Sequence, residues 1–237
     1  MAPNLKILDS DGITEFTSQN FGTVVAGSVT IPKLVFVDSY GTTTASGSEF
    51  GFVAVGGNDG INYAQMSSAT TFDASGTGIS GTVTSTGGTI SGTLNIVYKI
   101  SAKDNYGHES AINASTSFIP TLSGTNTNQV AVAWDAIPNA TFYGLYLSVD
   151  SGTSFKLVTY TTILSYTDTS GTATATSPQA SGTFAYKPST WSVVPLAVGD
   201  MVSGTLFPCF FRENVPSGTS SIGNTRQHNI YAQFINI

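Results

Sequence analysis

The fold is decided by the stretch Leu94-Asn-Ile-Val-Tyr-Lys-Ile-Ser-Ala-Lys-Asp-Asn-Tyr-Gly-His-Glu-Ser110 and by two shorter stretches that follow it, Val130-Ala-Val-Ala-Trp134 and Leu164-Ser-Tyr-Thr-Asp-Thr169. In the first two stretches every second side chain over several residues is apolar. That period of two is typical of a β-strand with one buried face. Asp104 is followed by Asn, Tyr and Gly, residue types that favour tight turns. This part of the chain therefore predicts strands joined by turns.

Outside these stretches, short runs of alternating apolar residues separated by Gly-rich turns continue along the chain. No stretch of a dozen residues has the apolar spacing of an amphipathic helix, and Thr, Ser, Gly and Val, which are poor helix formers, dominate the sequence. The tripeptide Ser-Gly-Thr returns at irregular intervals, which indicates a reused turn and not a solenoid repeat. We therefore predict an all-β chain built from β-sandwiches.

Two stretches of small polar residues, 76–88 and 171–182, are interpreted as linkers. They bracket a module at 89–170. We expect the flanking segments, 1–75 and 183–237, to form one discontinuous sandwich that anchors the protein, since each is short for a core of its own. A plain string of two or three domains is the alternative.

Both flanking segments carry runs of apolar residues that predict strands. These runs are Leu5–Leu8, Ser28–Ile31, Lys33–Val37, Phe50–Val55, Trp191–Val194, Leu206–Phe211 and Asn229–Ile235.

The three stretches quoted above resemble a fibronectin-type-III/immunoglobulin-like module common in phage virion proteins. In this resemblance the second stretch continues through Asp135-Ala-Ile-Pro-Asn-Ala140, and Tyr143-Gly-Leu-Tyr-Leu-Ser148 lies between the second and third. The resemblance covers about a third of the chain. It departs at Asn139, where the family usually has Gly, and the strand in 94–110 precedes the Trp134 strand, whereas the ordinary fibronectin order places its equivalent late. The resemblance implies an adhesive or structural module.

The flanking segments carry weaker resemblances. Phe21–Gly27 and Lys33–Gly41 resemble the opening of immunoglobulin-like phage and surface domains, and Leu206–Phe234 resembles their closing. An immunoglobulin-like sandwich is what these resemblances imply for the two ends.

Composition excludes several classes of function. The chain has 8 Lys and Arg against 14 Asp and Glu, a net charge of −6, and no basic cluster that a nucleic acid would need. No apolar run is long enough to span a membrane, and the first residues lack the pattern of a signal peptide. We expect a protein made in the host cytoplasm and located in the virion. The single cysteine, Cys209, excludes an intrachain disulfide, and we expect it to be buried.

Motifs for catalysis are missing from the sequence. His108 and His228 have no second ligand at metal spacing, and no Gly-x-Ser-x-Gly elbow occurs. Glu109 and Glu213 are not grouped with a second acid in an aromatic cleft motif. We predict no catalytic residue, no cofactor and no enzyme.

Calcium is the one metal with any signal in the sequence. Asp9-Ser-Asp-Gly12 and Asn58-Asp-Gly60 are oxygen-rich turns, but they lack the later ligands of an EF-hand. Asx-turns explain both without a metal, so none is predicted.

The leading hypothesis is a virion structural protein of a tailed phage, specifically an outer capsid decoration or head accessory protein. Its expected partners are the major capsid protein or other virion proteins and further copies of itself. Alternatives are a tail or baseplate component that contacts the host surface, and a carbohydrate-binding module. For the last, Trp191 is the candidate surface contact with a host glycan, since Trp134 is expected in the core.

Overall fold

The computed structural model of the chain describes residues 5–19, 24, 26–40, 44–54, 63–113, 115–181, 183–217 and 228–234. The fold class is all-β, as predicted, and the paired strands are antiparallel apart from one isolated bridge. The strands within the described residues are β1 (Leu5–Leu8), β2 (Lys33–Ser39), β3 (Ala45–Ala54), β4 (Ala64–Phe72), β5 (Ile79–Thr84), β6 (Val97–Lys103), β7 (Gln129–Trp134), β8 (Phe142–Ser148), β9 (Lys156–Thr161), β10 (Ser165–Asp168), β11 (Ala185–Pro188), β12 (Leu196–Met201), β13 (Leu206–Glu213) and β14 (His228–Phe234).

The chain divides into two compact units. Unit 1 consists of Met1–Thr70 and Pro188–Ile237, and unit 2 of Thr71–Lys187. Unit 1 is thus built from both ends of the chain. The immunoglobulin-like and fibronectin-like identities of the two units stay predictions.

Unit 1 has two sheets around one core, a β-sandwich-like arrangement. The strands β1, β2, β13 and β4 lie side by side in that order, and β12, β3 and β14 form the other sheet. Because side chains alternate between the two faces of a strand, every second residue of β2 and β13 points into the core. The buried core residues are Val35, Val37, Ala45, Phe50, Met66, Met201, Cys209 and Phe211. The predicted burial of Cys209 is confirmed.

Unit 2 repeats this plan with two three-stranded sheets, β10-β7-β5 and β6-β8-β9. The alternation read from the sequence holds here: Tyr98 and Ile100 of β6, and Val130 and Val132 of β7, are buried in one apolar core. Trp134 is 5% exposed and belongs to the same core, which confirms its predicted burial.

Several predicted strands are present and others are reduced to a single bridge. Leu5–Leu8 is β1, and Lys33–Val37 lies within β2. By contrast, Ser28–Ile31 contributes only the bridge of Val29 to Asn214, and Trp191–Val194 only the bridge of Ser192 to Met66.

The segment 76–88 is not a simple linker, because it contains β5, which pairs with β7 from end to end. Small residues occur in this segment because other parts of unit 2 pack closely against it. A side chain at Gly81 would place its Cβ against the carbonyl oxygen of Ala131 and 2.6 Å from the ring of Phe118. The interpretation of this segment as flexible was wrong, since the same residue types suit both a linker and a tightly packed strand.

The second expected linker, 171–182, also has backbone partners in its described part. Thr174 donates its N–H to the carbonyl of Leu157 (2.8 Å), and Leu157 donates its N–H to the carbonyl of Thr176 (2.9 Å). This segment therefore runs along β9 as a short, irregular addition.

Candidate functional site

The polar centre of unit 2 is the carboxylate of Glu109, which is only 6% exposed. Its Oε1 accepts hydrogen bonds from Ser101 Oγ (2.5 Å) and Tyr146 OH (2.7 Å), and its Oε2 accepts one from Tyr160 OH (2.6 Å). Each hydroxyl comes from a different strand of the β6-β8-β9 sheet. We call these four residues the Glu109 cluster. A buried carboxylate is stable here because the hydroxyls replace the water that it loses.

Strand register explains how the Glu109 cluster forms. Gly144 of β8 pairs with Ser101 on one side and Tyr160 on the other, so the three residues form a row across the sheet. Gly144 has no side chain, and the Glu109 carboxylate occupies that space: a Cβ at Gly144 would lie 2.8 Å from Oε1. Tyr146 lies two residues further along β8 and therefore faces the same side.

Burial raises the pKa of both tyrosines in the Glu109 cluster. The hydrogen bond and negative charge of Glu109 raise the pKa of Tyr146 further, and the same carboxylate raises that of Tyr160. Both phenols therefore remain protonated donors, which is what the carboxylate requires.

A second buried carboxylate, Asp104, ties two backbone segments together. Its Oδ1 accepts the N–H groups of Tyr106 (2.7 Å) and His108 (3.0 Å), both in its own turn. Its Oδ2 accepts the N–H of Tyr186 (2.9 Å) from the segment that ends unit 2, and lies 3.4 Å from Nδ1 of His108. Burial alone would raise the pKa of Asp104, but the His108 interaction and the Tyr186 and Tyr106 amides outweigh it and lower the pKa below its usual value.

An open groove of about 360 Å³ lies between these two segments. We call it the His108 groove. One wall is the turn at 107–109, and the other is formed by Gln179, Thr183, Phe184 and Tyr186. The side chains of His108 and Glu109 line the first wall.

The walls of the His108 groove are held in fixed positions. Asp104 connects them through the Tyr186 amide, and the N–H of Ala111 donates to the carbonyl of Thr183 (3.0 Å). The His108 ring packs edge-on against Tyr186, with ring centroids 5.0 Å apart. The groove is thus preorganised, which reduces the entropic cost of binding a ligand.

A further depression of about 410 Å³ in unit 2 is lined by turns that include Asp73 and Asp135. The Asp73 carboxylate accepts the N–H of Ser75 (2.8 Å), which is ordinary turn chemistry. Thr77, which is buried, also lines the depression, and its carbonyl accepts from Asn113 Nδ2 (3.1 Å) and from the Thr116 hydroxyl (2.6 Å).

Trp191, the predicted surface contact, lies in unit 1 and is half-buried. The guanidinium of Arg212 lies 3.9 Å from the centre of its ring. The Arg212 guanidinium also donates two hydrogen bonds to Gln65 Oε1, from Nε (3.0 Å) and Nη2 (2.8 Å). One face of the indole is therefore occupied by the protein itself, and the role of Trp191 in ligand binding stays a prediction.

The carboxylates of the Asp9–Gly12 turn accept hydrogen bonds from other groups of the protein. Asp9 Oδ1 accepts from Lys33 Nζ at 2.5 Å. Asp11 accepts from the N–H groups of Ile13 and Thr14 (both 2.8 Å) and from the Thr14 hydroxyl, which together lower its pKa to about 2. This is the Asx-turn chemistry expected from the sequence.

Two further candidates for metal binding were considered in the sequence, the turn Asn58–Gly60 and His228. The turn Asn58–Gly60 lies outside the described residues, and His228 begins β14. Across the residues that the structure describes, no group of three or more His, Cys, Asp or Glu could hold a metal ion. The described part of the chain also contains no helix of the length and apolarity needed to cross a membrane.

From the sequence, His108 and Glu109 were considered only as isolated residues without metal or catalytic partners, and neither the Glu109 cluster nor the His108 groove was anticipated. The cluster depends on the register of three strands, and the groove depends on residues about 75 positions apart. The available signal was Gly144 within the stretch Tyr143–Ser148, since a glycine in a strand often marks the close approach of another group.

Comparison of the chain with protein family models, characterised proteins and solved structures gives no significant match.

Proposed function

We propose that this protein is a non-enzymatic structural protein of a tailed-phage virion, located on the outside of the capsid as a decoration or head accessory protein. The proposal rests on the resemblance of the middle of the chain to modules of phage virion proteins. Since one fold serves many functions, the fold class alone would not carry it.

The observation that most supports the resemblance is that its separate sequence blocks contact one another through buried polar bonds. Tyr98 from the first block donates its hydroxyl to Asp168 Oδ2 of the last block (2.7 Å). Glu109 of the first block accepts from Tyr146 of the block between. Blocks that are far apart in sequence therefore specify one core, as expected of a single module.

The buried acids of unit 2 support a structural role. Asp168 is 1% exposed, and its Oδ1 accepts the N–H groups of Ser170 (3.0 Å) and Gly171 (2.9 Å). Asp104 and Glu109 are likewise engaged in several bonds each. Groups committed in this way fix loops and strands in place.

The surface supports assembly with other proteins. Unit 1 exposes the apolar side chains Ile13 (82%), Ile31 (79%) and Val194 (61%). With 22 charged residues in 237, the surface also has little charge repulsion to oppose dense packing. In the proposed function these side chains of unit 1 pack against capsid subunits, and unit 2 carries the exposed module.

A binding experiment tests the proposal. Heads and tails from disrupted particles that lack this protein are separated on a gradient, and the purified chain is added to each fraction. We expect it to sediment with the heads, and the double variant Ile13→Asp/Ile31→Asp to bind more weakly. Binding to tails alone, or to neither fraction, would contradict the proposal.

A further inference from the structure

We infer that the His108 groove of unit 2 binds an uncharged saccharide. This inference goes beyond the proposed function, because it rests on the chemistry of the groove and not on the position of the protein in a particle.

The groove combines an apolar surface with polar groups suited to hydroxyls. Phe184 lines it and exposes 41% of its surface, although an apolar ring is usually buried. The Gln179 amide, which can both donate and accept hydrogen bonds, also lines it and is exposed. A sugar ring presents an apolar C–H face beside hydroxyl groups, and this pairing of an aromatic face with an amide matches both.

Thr183 adds an acceptor. Its hydroxyl donates to the carbonyl of Ala180 (2.8 Å), which leaves its oxygen to accept a hydrogen bond from a ligand. This oxygen is therefore complementary to a sugar hydroxyl donor. Glu109 is only 6% exposed and already accepts from the Ser101, Tyr146 and Tyr160 hydroxyls, so it contributes negative charge to the groove and not an acceptor for the ligand.

The charge of the groove selects uncharged sugars. No Lys or Arg is among the described residues that line it, whereas Glu109 is, and Asp104 lies behind His108. Anionic ligands such as sialylated or phosphorylated glycans would meet the negative charge of Glu109, and His108, which also lines the groove, already lies 3.4 Å from the Asp104 carboxylate. Neutral oligosaccharides are therefore the class of ligand that we infer for the groove.

The preorganised walls explain why these groups can act together. Asp104 is 3% exposed and fixes the backbone on both sides of the groove. Gln179, Thr183 and Phe184 lie on one wall, and His108 and Glu109 lie on the other.

The test uses the full-length chain on an array of neutral and acidic glycans, followed by titration of any bound sugar by calorimetry. We expect binding to one or more neutral oligosaccharides. Phe184→Ala should weaken it about tenfold, from loss of the aromatic contact, and Gln179→Ala should weaken it severalfold. Phe142→Ala is the matched control, since Phe142 is 40% exposed, belongs to the same unit and does not line the groove.

The inference is overturned if no neutral glycan binds, or if only acidic glycans bind. It is also overturned if binding survives Phe184→Ala and Gln179→Ala but is lost in Phe142→Ala or Trp191→Ala. Circular dichroism of each variant verifies that it is folded. Because the assay uses purified protein, its failure would leave the result with phage heads unaffected.

Discussion

The Glu109 carboxylate accepts hydrogen bonds from three hydroxyls on three strands. Because all three bonds depend on one side chain, we expect the stability of unit 2 to be sensitive to substitution of Glu109. Glu109→Gln replaces one acceptor oxygen with an NH₂ group that faces hydroxyl donors. We expect a loss of about 1–3 kcal/mol in the free energy of unfolding, because buried hydroxyls lose their acceptor. Urea unfolding followed by Trp134 fluorescence in a Trp191→Phe background measures this, since the chain has two tryptophans.

Glu15→Gln is the control for that experiment, because Glu15 is exposed. Its effect should lie within about 0.5 kcal/mol of zero. Equal effects of the two substitutions would show that the Glu109 cluster contributes nothing to stability.

Gly144 is required by the same cluster. In Gly144→Ala the new Cβ would lie 2.5 Å from Ser101 Oγ and 2.8 Å from Glu109 Oε1. We expect a loss of about 1–3 kcal/mol, as in other overpacked sites. Gly124→Ala is the matched control, since nothing lies within 4 Å of a Cβ at that position. A neutral Gly144→Ala variant would contradict the register described here.

Asp104 makes stability depend on acid pH. Its pKa is lower in the folded chain than its ordinary value of 3.8, so its contribution is fully present above that value and is lost as the pH falls through the folded pKa. In Asp104→Asn this component should be absent, and the urea midpoint should fall less steeply below pH 4 than in the unmodified chain. Identical pH profiles would refute the role of Asp104.

At the scale of the element, β5 shows where sequence patterns mislead. Its residues, Ile79-Ser-Gly-Thr-Val-Thr84, are the small polar types that also make linkers. The decisive contact, the close approach of Gly81 to Ala131, lies between residues 50 positions apart and leaves no local signature. By contrast, β2 and β13 were predictable because each contains a short continuous run of apolar residues, Leu34–Val37 and Leu206–Phe211, which is typical of a buried strand.

Amide hydrogen exchange tests the status of β5. The N–H groups of Ile79–Thr84 that bond to β7 should exchange more slowly than those of residues 85–87 in the bend that follows. Equal rapid exchange over 76–88 would restore the interpretation of this segment as a linker.

Arg212 gives a similar lesson. Its guanidinium bonds Gln65 of β4 and lies over Trp191. These partners depend on which strand lies alongside β13, and the sequence of β13 itself does not indicate it.

At the scale of the whole molecule, composition and alternation were sufficient to predict the all-β class. The candidate site was not predictable, because the Glu109 cluster and the His108 groove depend on the register of strands and on contacts between distant segments. The proposed function lies at a further level, since in that proposal the exposed apolar residues of unit 1 act only beside a second protein, which no pattern within this chain identifies.

The central claim, that this chain is an outer component of a phage head, is tested most directly by electron microscopy of intact particles labelled with a gold-conjugated antibody to the chain. Particles from a phage with the gene deleted serve as the control. We predict label distributed over the heads. Label confined to the tail tip, or on no particle, would contradict the account.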